Sequence, residues 1–366
     1  MLKQMADIVH EQKPDLFLLC GDVYHTAQPS ASVQTLFTNA LMEIHNANPV
    51  MTIIITAGNH DSGTKHDIFK TPWKALNVHT IGNVNANSLE DLIIEIPDRA
   101  FVIAVPYINE RNMPKGLYQQ LLDRVMEENK KQLPVIMMAH TTVGGCDFSG
   151  HDNTSDYTVG GIDSYELNDM GTGYDYLALG HIHHAQFVQG GHRRARYSGT
   201  PLPISFDESY PHSVSIVEIN SHGETPHVNE IEMNTSTLSG TIESLERETS
   251  QLERQVQTKE LLANFPNDIE AYIRLNVQVE DFLPVEANAE AMLLTKEKKC
   301  RFCIIHAHRL KNERGEAKMM SVQEFKTEKP IDIAQRYADD LGFVFDDNMK
   351  ELFQEALDSI EEENRK

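Results

Sequence analysis

Four apolar runs in the first half of the chain end in side chains that can hold or move charge. "LLCGDVYH" ends in Asp22 and His25, "IIITAGNHD" in Asn59 and His60, "IMMAH" in His140, and "LALGHIHH" in His181, His183 and His184. An aspartate, a carboxamide and several imidazoles are oxygen and nitrogen ligands, a set suited to borderline divalent ions such as Mn²⁺, Fe²⁺ or Zn²⁺. One such residue after a strand is ordinarily a turn or a hydrogen-bonded core histidine. The same choice at tip after tip is not expected of unrelated turns. Gly21, Gly58 and Gly180 stand within these tips, where a residue without a Cβ lets the chain leave a strand sharply and approach another closely.

The elements that carry the tips are legible from periodicity. "DLFLLC" and "VMTIIIT" are continuous apolar runs, the pattern of strands covered on both faces. Leu2, Met5, Ala6 and Val9 share a helical face ahead of them. Val33, Leu36, Phe37, Ala40, Leu41 and Ile44 recur at helical spacing between them, a crossover helix. "LIIEI" and "FVIAVPY" pair around a turn at Pro97–Arg99, and a helix from about Lys115 to Lys131 leads into "PVIMMAH". A Gly- and Asp-rich loop from about Gly144 to Gly161 precedes "YDYLALGHIHH", and strands resume at "ARYSGT" and "SVSIVEI". This alternation reads as α/β with a largely parallel sheet at its start. Carboxyl ends of such strands face a common crevice, so side chains far apart in sequence converge there.

The sequence changes character after Met233. Leu238, Ile242, Leu245, Leu252 and Val256 mark a helix of mixed charge. "EAYIRLNVQVED" alternates as a half-buried strand with "KCRFCIIHAHRL" as its partner, and Met349 to Ile360 carry one apolar helical stripe. The expected division is a catalytic-type domain over 1–233, a connecting helix over 234–264, a small α+β domain over 265–345 and a terminal amphipathic helix over 346–366. With 366 residues, four scattered cysteines and no run near the roughly 20 apolar residues of a membrane span, a reducing cytoplasmic setting and no membrane partner are expected. A net charge of −23 argues against a broad basic surface for nucleic acid, so a polyanionic substrate would need metal cations or a basic partner.

The pattern GD…GNHD…H…GHxH resembles the signature of the calcineurin-like metallophosphoesterases. "GDVYHTAQPS", "PVMTIIITAGNHDS" and "YLALGHIHH…RYSGTPLPISF" resemble more particularly the SbcD family of bacterial nuclease subunits, across about residues 1–233. The resemblance implies a β-sandwich flanked by helices, with a small C-terminal α+β capping domain. It implies two divalent ions, commonly Mn²⁺, bridged by Asp22, with Asn59, His140 and His181 completing one ion's ligands and His183 belonging to the other. It places His60 beside the scissile phosphate as the assisting histidine and His25 near it. It further implies DNA as substrate, 3'-5' exonuclease and endonuclease action on double-stranded ends or hairpins, an SbcC-type ATPase partner, and a homodimer within a heterotetramer acting in repair and recombination.

Members of that family open with a strand ending in Asp-x-His, which supplies two further ligands to the second ion. No such motif precedes Asp22, and Asp7 and His10 on the first helix are surface residues rather than substitutes. An internal methionine recorded as the start is the favoured expectation, with a truncation that leaves the second site half-built as the alternative. Without that opening strand, an apolar sheet edge is expected to be left uncovered. A scaffold that binds one ion without cleaving, and a phosphatase of another substrate class, are the competing functions. "HRRAR" (His192–Arg196) reads equally as a solvated hairpin tip or a phosphate contact, and the Met349–Ile360 stripe equally as domain packing or a partner-docking helix. Trp73 reads as core. Cys300 and Cys303 fall on opposite faces of an extended strand and so do not form a zinc site.

Overall fold

The computed structural model describes residues 1–147, 164–206, 208, 210–234, 262–268, 271–279, 284 and 286–309, with 331, 335, 349, 350, 353 and 354. The loop expected over 144–161 and the connecting helix lie mostly outside these residues. Of the terminal stripe, only residues 349, 350, 353 and 354 are described, all helical.

Two sheets form the main body. The first is parallel throughout, in the order β1 (Leu16–Cys20), β2 (Thr52–Thr56), β3 (Val78–Ile81). The second has β4 (Ile93–Ile96), β5 (Ala100–Ala104), β6 (Val135–His140), β9 (Tyr176–Gly180), β11 (Ala195–Tyr197) and β10 (Gln186–Phe187) side by side. Its centre, β5–β6–β9–β11, is parallel, and each edge strand is antiparallel to its neighbour. Short β7 (Thr142–Val143) and β8 (Ser164–Tyr165) form a separate parallel pair. The hairpin β12 (Ser213–Glu218) and β13 (His227–Glu232) forms a separate antiparallel one.

The period-two alternation of strands explains how the sheets are covered. Phe17 and Leu19 of β1 and Ile53 and Ile55 of β2 pack with Val9 of helix α1 (Leu2–Gln12) and with Leu41 and Ile44 of helix α2 (Ala31–Ala47). Leu16, Leu18 and Cys20 of β1 and Ile54 of β2 turn the other way, into the core shared with the second sheet. The same core receives Leu117, Leu121, Leu122 and Val125 from the helix Leu117–Glu128. All five residues of β2 are buried, as its apolar run requires. Trp73 packs against the helix-side core, as expected.

The sandwich flanked by helices that the resemblance implies is present: the first sheet is backed on one face by helices and on the other by a second sheet. Two expectations drawn from periodicity are corrected. An apolar run reports burial but not what does the burying. β1 is not covered like β2. It stands at the edge of its sheet, and all five of its residues are only half-buried. Val33 and Leu36, in the first half of α2, are exposed rather than packed.

Contacts divide the chain into two units, Met1–Val277 with Leu283–Ala307, and Gln278–Phe282 with His308–Lys366. A small separate core within the first unit joins Leu262, Ala271, Ile273, Leu275, Ala291, Cys300 and Phe302. Its strands, β14 (Tyr272–Val279) and β15 (Arg301–Arg309), are the partners expected from their alternation. Cys300 is buried there while Cys303 is exposed. Among the described residues, no helix is long and apolar enough to cross a membrane.

Candidate metal centre

The polar tips of β1, β2, β6 and β9 meet at one end of the sandwich, two from each sheet. Ligand atoms of Asp22, His140 and His181 all lie within 4.8 Å of one another. Asn59 joins them: its carboxamide oxygen is 3.0 Å from His140 Nε2 and 3.2 Å from His181 Nδ1. The joint between the sheets is made by the same residues. His140 Nδ1 donates to the Cys20 carbonyl across 2.7 Å, and the Cys20 thiol donates to the Ala178 carbonyl.

The donor set fits a cation. With Nδ1 committed as a donor, a neutral His140 ring carries its lone pair on Nε2. That nitrogen faces Asp22 Oδ2 at 3.1 Å and the Asn59 oxygen at 3.0 Å. Electron-rich atoms converging on one point are balanced by a positive ion between them. When no ion is bound, a proton on His140 Nε2 takes the same place: burial pushes the Asp22 carboxyl up, but His140 so protonated, by hydrogen bonding and charge, with the His60 amide and ring, outweighs it and holds the group at about 2. Either positive partner favours the anionic form of Asp22.

Backbone strain accompanies these residues. Asp22 (φ 51°) and His181 (φ 96°) occupy the left-handed region that side chains other than glycine avoid. Such conformations cost about 1–3 kcal/mol each and persist where the surroundings over-determine them, typically at functional sites. The tip glycines make the approach possible. A Cβ on Gly58 would lie 2.1 Å from Asp22 Oδ1, and one on Gly21 would lie 2.1 Å from His140 Nδ1.

His60 and His25 lie beside this group. The His60 amide donates to Asp22 Oδ1 (3.0 Å), and its ring Nδ1 donates to the His25 carbonyl (3.2 Å). The two rings stack with centroids 5.6 Å apart, His25 being exposed. His183 stands outside the set within mutual reach of Asp22, His140 and His181. Its Nδ1 donates instead to the fully buried carboxylate of Glu208, at 2.8 Å.

Three residues without an expected role support the group or the histidine beyond it. Asp61, its side chain wholly buried, accepts the amide N–H groups of Val23, Tyr24 and Gly58 at 2.9–3.1 Å and so ties the Asp22 loop to the Asn59 loop. Burial raises its carboxyl, but those amides and the His66 ring, 3.6 Å away and too far for a hydrogen bond, outweigh it and leave it lowered. Tyr107 presents its ring edge-on to His140, with centroids 6.3 Å apart. Glu208 is the third.

The "HRRAR" hairpin is not part of the site. Its tip lies at the start of β9, whereas the ligands follow its end, a strand's length away, about 17 Å. Arg194 is held by Asp175 and the Gly223 carbonyl, buried Arg196 by Glu230 and Ser215, and Arg193 lies over the Phe187 ring. Asp7 and His10 are exposed on α1, as expected.

The family model for calcineurin-like phosphoesterases matches residues 1–185, half of the chain. The chain belongs to the calcineurin-like phosphoesterase family. Members of this family act through divalent metals, which accords with the donor set at the strand tips. Among curated proteins, the chain is similar to the SbcD subunit of the nuclease SbcCD from Rhodobacter capsulatus, 28% identical over 62% of each chain. It is also similar to the SbcD protein of Escherichia coli (strain K12), 26% identical over 57% of this chain and 55% of that one. The SbcD protein of Bacillus subtilis (strain 168) is 25% identical over 60% and 59%. The matches thus span between 55% and 62% of the length of these three relatives. Phosphoester hydrolysis is the class of chemistry that the family match supports.

Proposed function

We propose that the chain is a Mn²⁺-dependent DNA nuclease subunit, cutting phosphodiester bonds at double-stranded ends or hairpins by 3'-5' exonuclease and endonuclease action. The observation that carries the proposal is the convergence of Asp22, Asn59, His140 and His181 from four strand tips. A bound divalent ion would polarise the phosphoryl group and the attacking water, and in pairs such ions also steady the leaving oxygen. The protein's part is positioning. Asp22 stays ionised, Asn59 and His140 present oxygen and nitrogen to the same point, and His181 is held there by its unusual backbone. In this reading His183 serves a second ion. His60, with its Nδ1–H on the His25 carbonyl, would donate from Nε2 to the phosphate or its leaving oxygen in the imidazolium form, in which both ring nitrogens carry hydrogen.

The likeness to the SbcD proteins supports further parts of the reading. These are an SbcC-type ATPase as partner, assembly as a homodimer within a heterotetramer, a cytoplasmic setting, and a role in DNA repair and recombination. The nuclease domain is taken as 1–233, followed by the connecting helix, capping domain and terminal docking helix. A net charge of −23 favours a partner that supplies most of the DNA-binding surface.

The test compares Mn²⁺-dependent hydrolysis of linear duplex DNA with that of a small phosphomonoester. The proposal expects cleavage of DNA, lost with chelator and in Asp22→Asn and His140→Ala. Faster turnover of the phosphomonoester would indicate a phosphatase. Tight binding of one ion with no cleavage of either substrate would indicate a scaffold.

A further inference from the structure

We infer that Glu208 is a positioning residue that fixes the ring of His183 for a cation; the inference rests on the reading of His183 as a metal ligand. Glu208 lies in the loop between β11 and β12, and its side chain is entirely shielded from solvent. A carboxylate removed from water is costly unless its oxygens are engaged. Here Oε1 accepts from His183 Nδ1 at 2.8 Å, and Oε2 accepts the Ile204 amide at 3.0 Å. His212 Nε2 stands 3.7 Å from Oε2.

Thr200 and Gly199 of the loop meet the same histidine. The Thr200 amide donates to the His183 carbonyl at 2.9 Å, and a Cβ on Gly199 (φ +74°) would lie 2.5 Å from that oxygen. His212 Nδ1 donates to the Thr200 carbonyl at 3.0 Å, while its Nε2, beside Glu208, makes no hydrogen bond. Backbone and side chain of His183 are thus both held by one loop.

The chemical consequence is a tautomer. A carboxylate on Nδ1 requires the hydrogen there and leaves the lone pair on Nε2, the arrangement in which a histidine ligates metal. Carboxylates in this position also raise ligand basicity, and their loss typically weakens metal affinity about 10–100-fold. A loop that needed only packing would be served by an apolar side chain, without the desolvation of a charge.

The test is nitrogen-detected NMR of the histidine rings in the full chain, with His183 assigned by the signal lost in His183→Gln and with Zn²⁺ as a diamagnetic probe. The parent is expected to show the Nδ1–H tautomer and an Nε2 resonance that moves on Zn²⁺ addition. Glu208→Ala should mix the tautomers and raise the Zn²⁺ midpoint for that resonance about 10–100-fold. Glu208→Gln, which keeps the loop's volume, should raise it by a smaller factor. A tautomer and midpoint unchanged in both variants would overturn the inference while leaving His183 as a ligand. A parent Nε2 resonance that ignores Zn²⁺ would remove His183 from the metal reading, and the inference with it.

Discussion

Asp61 gathers amides from the loops that carry Asp22 and Asn59, so a buried carboxylate helps to set the distance between the two residues, together with the His60 amide on Asp22. Asp61→Asn replaces an acceptor oxygen with an NH₂ that faces N–H donors, and should cost about 2–3 kcal/mol in denaturant unfolding. The pH dependence follows from its lowered carboxyl. A depressed folded-state value adds stability above the unfolded carboxylate range near 3.9 and loses it as pH falls through the folded value. The variant should accordingly show a shallower loss of stability below about pH 4 than the parent; equal slopes would deny Asp61 this role. His60 is a separate case, since its ring is proposed to act in the reaction rather than in the cage. His60→Gln should reduce phosphodiester hydrolysis about 10²–10⁴-fold with Mn²⁺ affinity unchanged, and a parallel loss of affinity would make it a ligand instead. Asp22, Asn59, His140 and His181 were legible in the sequence because their types advertise ligand chemistry. Asp61 and Glu208 were not, because a carboxylate whose partners are backbone amides or a remote histidine looks like any loop acid until the loops are folded.

At the scale of elements, the site depends on strands from two sheets ending at the same level. Gly180 marks the tightest point: a Cβ there would lie 1.8 Å from the Cys20 carbonyl and 2.9 Å from His140 Nδ1. The first obstacle is backbone, so it cannot swing aside. Gly180→Ala should push β9 from β1, lower stability by about 1–3 kcal/mol and weaken Mn²⁺ binding. Calorimetry showing parent-like Tm and affinity would mean the joint is looser than its geometry indicates. The tip glycines were readable as points of close approach, and β2, β6 and β9 as buried strands. Periodicity alone did not show the split into two sheets, which only the family resemblance implied, because Ile54 and Ile55 are equally apolar although one meets a sheet and the other helices. Nor do the residues of β1 reveal its edge position, since it is as apolar in sequence as β2 yet only half-buried; the uncovered edge was expected from the family pattern instead.

For the whole molecule, charge sets the terms of substrate binding. A net charge of −23 repels a phosphate backbone, and the compact basic hairpin His192–Arg196 spends Arg194 on buried Asp175 and Arg196 on Glu230. Without divalent ions the chain alone should bind duplex DNA no better than the ~10⁻⁴–10⁻⁶ M of ordinary non-specific binders, and Mn²⁺ should tighten binding. Submicromolar affinity in chelator, read by fluorescence anisotropy, would reveal a cationic surface that the described residues do not display. The most direct test of the account as a whole is anomalous diffraction from crystals grown with Mn²⁺. The account predicts a manganese peak in contact with Asp22, Asn59, His140 and His181 together. A peak touching fewer than three of them, or manganese bound only elsewhere, would contradict it.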